Sequence, residues 1–208
     1  MGDESAGGNA RIKRLAISVE GATEREFVSR VLKPHLAPFG VHALGVDIRG
    51  NVSLDKIRGE LPSLMGSFDF VSTLYDFYGF KRREGRSVDQ LEQAIHSLVG
   101  PQEQPRLLPY VQQYEFEALI FATPQVAVTH LQGRDKDLAI MQEAIRRSGT
   151  PEHVNDGVET SPSHRLKKLF GGYDKKRHGP EIVQIAGLEA IRQTCKRFDA
   201  WVTALERI

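Results

Sequence analysis

The chain has 208 residues, 40% of them hydrophobic and 26% charged, which suits one sizeable α/β domain with an appendage and an ordinary soluble globule. A formal net charge of +1 excludes a globally basic nucleic-acid binder, so any basic surface must be local. The single cysteine, Cys195, excludes an intramolecular disulfide framework and fits a reducing, cytoplasmic setting.

No apolar run approaches a membrane span and no signal-peptide pattern opens the chain. Met1 to Ala10 is Gly-rich and polar and is expected to be disordered. Leu15 to Val19 reads as a buried strand, continuous rather than alternating. Glu20 follows it, then Gly21 for a tight turn, then a Thr23-x-x-Glu26 capping box. Residues 24–33 read as a helix with Phe27, Val28, Val31 and Leu32 on one face, ended by Pro34, Pro38 and Gly40. Val41 to Ile48 forms a second strand. Leu54, Ile57, Leu61 and Leu64 have helical spacing, interrupted by Pro62. Phe68 to Tyr75 is a third strand. Ser87 with Gln90 makes a second capping box, opening a helix closed by Gly100-Pro101. Leu107 to Gln112 is a fourth strand, and Glu115 to Phe121 begins another helix. Beyond it, helices are expected over roughly 134–147 and 187–206, with a basic, Pro/Gly/Ser-rich stretch between them.

Strands alternating with helices argue a mostly parallel, four-stranded sheet flanked by helices. The division expected is a disordered start over 1–11, an α/β core over 12–125 and a helical extension over 126–208 packed on that core.

Acidic residues fall at the strand ends: Glu20 after the first, Asp76 after the third, Glu115 and Glu117 after the fourth. In a parallel sheet these ends share one edge, where ligands bind. Carboxylates gathered there raise one another's pKa unless a cation joins them, and hard Mg²⁺ or Mn²⁺ suits oxygen ligands. The plainer reading makes Glu20 and Glu115 helix-dipole partners and Asp76 a turn former. Of the last pair, Glu115 is preferred, since both cannot face inward from a regular helix. Glu24, in the first helical turn, is a supporting residue or a plain dipole partner.

The ordered set Val19-Glu20-Gly21-Ala22-Thr23-Glu24, Tyr75-Asp76-Phe77-Tyr78-Gly79 and Glu115-Phe116-Glu117-Ala118-Leu119 resembles the Toprim fold, in its OLD-type nuclease branch. With Asn155-Asp156-Gly157 and Gly172-Tyr173-Asp174-Lys175, nearly the whole chain from Arg14 to Leu205 resembles an uncharacterised bacterial family, domain of unknown function 4276. The resemblance implies a Toprim-like α/β fold. It carries a metal and acid/base role to Glu20 and a metal-ligand role to Asp76, with Gly21, Thr23 and Glu24 supporting them. Tyr78 stands where Toprim enzymes have a second Asp, leaving Glu115 or Glu117 to supply that carboxylate. The family is also similar to proteins often encoded beside ABC-type ATPases in bacterial defence loci. This chain has no phosphate-binding loop, so ATP hydrolysis would need a separately encoded partner.

The densest positive stretches are Ser163-His164-Arg165-Leu166-Lys167-Lys168 and Tyr173-Asp174-Lys175-Lys176-Arg177-His178. Functionally, Ser163, Arg165, Lys167, Lys175 and His178 would contact phosphate and Tyr173 would stack on a base. Solvated helix faces are the plainer reading. The leading expectation is therefore a Mg²⁺- or Mn²⁺-dependent nuclease, the effector of a defence system. Glu20, Asp76 and Glu115 would hold the metal, and Lys175 or Arg165 the phosphate. The alternatives are a catalytically weak module that binds nucleic acid or an ATPase, and a small-molecule phosphohydrolase.

Overall fold

The computed structural model describes residues 12–155 and 160–208. Met1–Ala10 and the Asp156-Gly157 pair lie outside the described residues.

Strand β1 (Lys13–Val19) is followed by α1 (Ala22–Phe27). A π-helical turn, Val28–Leu32, carries the same helix on into α2 (Lys33–Leu36). Pro34 therefore does not end the helix as expected. The widened turn, in which the Lys33 amide reaches Val28, makes room for the proline ring against the preceding carbonyls. The stop comes at Gly40, whose φ of 73° suits a glycine. Then follow β2 (Val41–Asp47), α3 (Leu54–Ser67), β3 (Phe70–Asp76) and α4 (Val88–His96). Helix α3 runs straight through Pro62 and buries Ile57, Leu61, Leu64 and Met65. The Ser87–Gln90 capping box forms as the spacing predicts, with both reciprocal hydrogen bonds present.

The last strand is broken into β4 (Leu107–Leu108) and β5 (Val111–Gln112), both on β3. Pro109 and Tyr110 interrupt the ladder. The Thr73 hydroxyl fills the gap, donating to the Tyr110 carbonyl and accepting its amide, both at 2.9 Å. Strand order is β2-β1-β3-β4, with β5 also against β3, and every pairing is parallel. The carboxyl ends of β1, β3 and β5 thus share one edge.

Helices α5 (Pro124–His130), α6 (Asp135–Ser148), α7 (Pro162–Leu169), α8 (Lys175–Ala186), α9 (Leu188–Thr194) and α10 (Lys196–Glu206) complete the chain. Two helices occupy the basic, Pro/Gly/Ser-rich stretch, and α8 tolerates Pro180. The long helix expected over 187–206 is two, parted at Cys195 (φ −103°, ψ 84°).

Successive β1 residues face opposite ways, as a pleated strand requires. Leu15, Ile17 and Val19 join a core with α1, α8 and α10, while Ala16 packs with Ile57, Tyr75 and Leu91 under α3 and α4. Both faces are covered, the usual state of a parallel sheet. Trp201 of α10 stacks on Tyr110 at 4.6 Å and donates to Ser72 of β3 at 2.9 Å, joining the chain's last helix to the sheet. Among the described residues no helix is long and apolar enough to cross a membrane.

Candidate active site

Glu20 leaves the end of β1 into the turn before α1. The expected Thr23–Glu26 box does not form, because the helix starts two residues earlier. Gly21 is the N-cap, and the Glu24 carboxylate reaches back to its amide at 3.1 Å. Thr23 is buried inside the first turn. Nor does Gly21 act as a tight-turn glycine, since its backbone is extended (φ −165°) and a Cβ there would meet only ordinary contact. The glycine that space demands is Gly79, in the turn after Asp76. A Cβ there would sit 1.9 Å from Glu20 Oε2, so Gly79 gives the Glu20 carboxylate its place.

Asp76, the last residue of β3, is buried and accepts the Phe116 amide at 2.8 Å. That bond ties β3 to a 3₁₀ segment, Phe116–Ala122, in place of the expected α-helix. Phe116 through Phe121 are almost wholly buried, Glu117 among them at 1% exposure. The preference for Glu115 is reversed here. Glu115 is still extended backbone (φ −144°, ψ 155°), and its side chain accepts the Ser163 amide at the start of α7, 2.9 Å away. Glu117 turns inward, with the hydroxyl of Tyr173 at 3.5 Å.

The resulting cluster is Glu20, Glu24, Asp76 and Glu117, with Lys175 at the N-terminus of α8. Burial raises the pKa of all four carboxylates. Asp76 is held well above the usual range by burial and by the charges of Glu24, Glu117 and Glu20. Glu117 is pushed up to about 7, chiefly by burial, with Lys175 opposing. Burial works against the Lys175 ammonium, yet Glu117, Asp76, Glu24 and Glu20 outweigh it and push its pKa up. A cleft of ≈ 260 Å³ opens here, lined by Glu20, Glu24, Gly50, Asn51, Lys175 and Lys176 among others.

The donors suit a hard divalent cation, since all are carboxylate oxygens. Glu20 Oε2 is buried with no hydrogen-bond partner among the described residues, which leaves its lone pairs available to a cation. Among the described residues no three His, Cys, Asp or Glu side chains form a closed ligand set, so the carboxylates would have to draw in around an ion.

The other expected residues scatter. Tyr78 packs on Tyr114 with ring centroids 5.4 Å apart, and Asn155 donates to its hydroxyl. Tyr173 is buried at 7% exposure and has no free face for a base, which corrects the stacking expectation. His178 Nδ1 accepts the Asp174 amide at 2.9 Å and so closes the start of α8. Arg165 donates to the Thr160 carbonyl at 2.7 Å and lines a different cavity, between α6 and α7. Lys167 is exposed on α7. Sequence reasoning missed Gly79 and Lys81, the latter close enough to lower the pKa of Glu20. Only their proximity to Asp76 along the chain hinted at them. Cys195 is fully buried and its pKa is pushed up to about 12, chiefly by burial, which leaves it inert.

Residues 19–206 match the model of a domain of unknown function, DUF4276. The chain belongs to that family. Two solved structures are similar to this DUF4276 chain. One is the C-terminal region of the Xanthomonas campestris pv. campestris OLD protein phased with mercury (13% identity, TM-score 0.48, 93% of this chain and 94% of that one). The other is the same region phased with iodine (16% identity, TM-score 0.45, with the same coverage). No curated protein matches.

Proposed function

We propose that this DUF4276 chain is a divalent-metal-dependent phosphodiesterase of the Toprim-like, OLD-type class, acting on nucleic acid. One observation carries the reading: carboxylates from the ends of β1 and β3 and from the segment after β5 lie near one another at one sheet edge beside Lys175. Glu20, Asp76 and Glu117 would hold Mg²⁺ or Mn²⁺, with Glu24 completing the negative field. Such an ion supplies charge neutralisation for a phosphoryl group and a bound water of lowered pKa. The chain's own groups do the rest. Lys175, kept charged by its four acidic neighbours, stabilises negative charge building on phosphate oxygens. Gly79 holds the place of the Glu20 carboxylate, and the Phe116 amide fixes Asp76. Burial of Glu117 and Asp76 keeps bulk water from competing for their oxygens.

The test is calorimetric titration with Mn²⁺, then a cleavage assay on single- and double-stranded DNA and RNA. Saturable binding with metal-dependent cleavage is expected. No metal binding at neutral pH would sink the reading.

A second reading is a module that kept the fold and binds nucleic acid or a separately encoded ATPase without efficient catalysis. Tyr78 favours it, because at the place of the second Toprim Asp it offers a phenol engaged with Asn155 and Tyr114. Metal binding with no cleavage of any substrate would select it. A role as effector of a bacterial defence system, with such an ATPase, belongs to either reading, and co-purification of the tagged chain with an ATPase from its host tests it.

A further inference from the structure

A second cavity, ≈ 650 Å³, adjoins the acidic cleft and is lined by Asn51, Ser53, Asp55, Lys56, Lys81 and Arg82. Asn51 lines both. The charge balance differs across it: two carboxylates and two lysines line the cleft, whereas three cations and one carboxylate line the groove. Two loops build the groove, one between β2 and α3, the other between β3 and α4. They are strapped together by the Lys81 amide on the Val52 carbonyl (2.8 Å) and by a parallel bridge between Val52 and Phe80, both side chains buried.

The backbone is constrained where the groove needs it. Arg49 and Arg82 both sit at positive φ (54° and 55°), uncommon for residues with a Cβ, and Gly50 lies at 92°. Such conformations cost free energy and gather at functional sites. Lys56 is tied to the Arg49 carbonyl. The neighbouring cations are occupied: Arg83 lies over the Phe77 ring at 4.4 Å, and Arg86 pairs with Glu84 at 2.7 Å. Lys81 and Arg82 are exposed and form no ion pair among the described residues. No aromatic side chain lines the groove, so it offers charge and hydrogen bonds without a stacking platform.

We propose that this groove is the track for the phosphodiester chain of a nucleic-acid strand. Lys56, Lys81 and Arg82 would hold the phosphates next to the one placed in the acidic cleft, with Asn51 at the junction. The inference rests on the reading of the cleft as a phosphodiesterase site and names how its substrate lies. It places the phosphate grip here rather than on α7, where Lys167 and Arg165 were expected to supply it. With no base contacts, recognition should be indifferent to sequence and steep in salt.

The experiment is a fluorescence-anisotropy titration of the full chain with a ~20-nucleotide single-stranded DNA, its duplex and its RNA equivalent, over about 50 to 200 mM salt. Lys81→Gln with Arg82→Gln should weaken binding and lower the log–log salt slope by about 1.4 on a single strand, roughly 0.7 for each lost phosphate contact. Lys167→Gln should leave the slope unchanged. Both altered groove residues are exposed, and a melting curve verifies folding. Wild-type affinity and slope in the double variant would overturn the track, as would a wild-type chain that binds none of the three nucleic acids. The two readings fail separately. Binding that depends on Lys81 and Arg82 without any metal-dependent cleavage sinks the phosphodiesterase and leaves the track. Cleavage with an unchanged slope in the variant sinks the track alone.

Discussion

Two groups of acidic residues in this chain are built on different rules. Around α9 and α10, Asp89, Glu92, Glu152, Asp199 and Glu206 each have a partner. Arg192 bonds Asp199 at 2.6 Å, both oxygens of Glu206, and Thr203. Arg197 joins Asp89 at 2.5 Å and Glu92 at 2.8 Å, and Glu152 accepts the amides of Arg197 and Phe198. At the sheet edge, Glu20, Glu24, Asp76 and Glu117 face one another with one lysine among them. The first arrangement holds helices in place. The second has raised carboxylate pKa values, a pattern that opposes folding as pH rises above the ordinary carboxylate range. On the proposed function, the same residue types separate into structural and functional groups by whether their charge is answered.

The largest expected effect lies in the answered group. Arg192→Ala leaves the carboxylates of Asp199 and Glu206 without their guanidinium and should cost about 3–5 kcal/mol, read as a lower denaturation midpoint. Metal affinity of the folded fraction should not change. A loss of metal affinity in that variant would mean the two regions are coupled and the comparison is wrong.

The pH dependence of stability separates the regions next. Glu117 has a folded-state pKa of about 7 against an ordinary 4.5. The folded state holds that proton more tightly, so its contribution is fully present below about pH 4.5 and is lost as pH rises through about 7. Integrated, the loss is on the order of 3 kcal/mol, and Glu20, Glu24 and Asp76 shift in the same direction. The paired acids are mixed: burial raises Glu92 even beside Arg197, while two others run the other way. Glu143, lowered to about 2 by its hydrogen bonds to Arg146 and Arg147, contributes stability above pH 4.5 that is lost as pH falls through about 2. Arg192 likewise holds Glu206 down against the opposing effect of burial. Metal-free melting should therefore weaken from pH 4.5 to 7, and saturating Mg²⁺ should flatten that limb. A metal-free stability that climbs steadily to pH 8 would contradict the cluster.

A smaller effect, with a sign that decides, comes from Glu20→Gln. Removing one of four like charges should leave metal-free stability unchanged or slightly higher at pH 8, while metal-dependent activity falls. Were Glu20 only a partner of the α1 dipole, the variant would lose roughly 0.3–1 kcal/mol and keep its activity. A melting curve and a cleavage assay distinguish the two.

Much of this was legible before the fold was seen. Continuous apolar runs ending in acids marked β1 and β3, and the Ser87–Gln90 box was read correctly, because strand ends and caps are local patterns. The missed features are those that tertiary packing decides. Nothing local says that Phe116–Ala122 winds as a 3₁₀ segment, so nothing local could choose Glu117 over Glu115. Tyr173 looked like a stacking residue by its basic neighbours, but its ring is claimed by the core. Pro34 read as a helix end and Pro62 as an interruption, yet packing carries each helix through. The groove at Lys81 and Arg82 arises only because Val52 and Phe80 pair across 28 positions of sequence.

The finest test of the comparison is Gly79→Ala, which adds a single methyl. The new Cβ would fall 1.9 Å from Glu20 Oε2 and 2.6 Å from its carboxyl carbon, so the carboxylate must move. It is the end of a flexible side chain beside an open cleft, and its Oε2 has no hydrogen bond among the described residues to break. Moving it should therefore cost little, within about 0.5 kcal/mol of wild-type stability. What it should disturb is the convergence of ligands. Displacing a residue that positions a ligand typically weakens metal affinity by about 10–100-fold, and a Mn²⁺ titration would read that directly. The double variant with Glu20→Gln then asks whether the methyl acts through Glu20. If it does, the two losses should fall well short of additive. Full additivity, or wild-type Mn²⁺ affinity in Gly79→Ala alone, would mean that the carboxylate cradled by Gly79 is not one the metal uses.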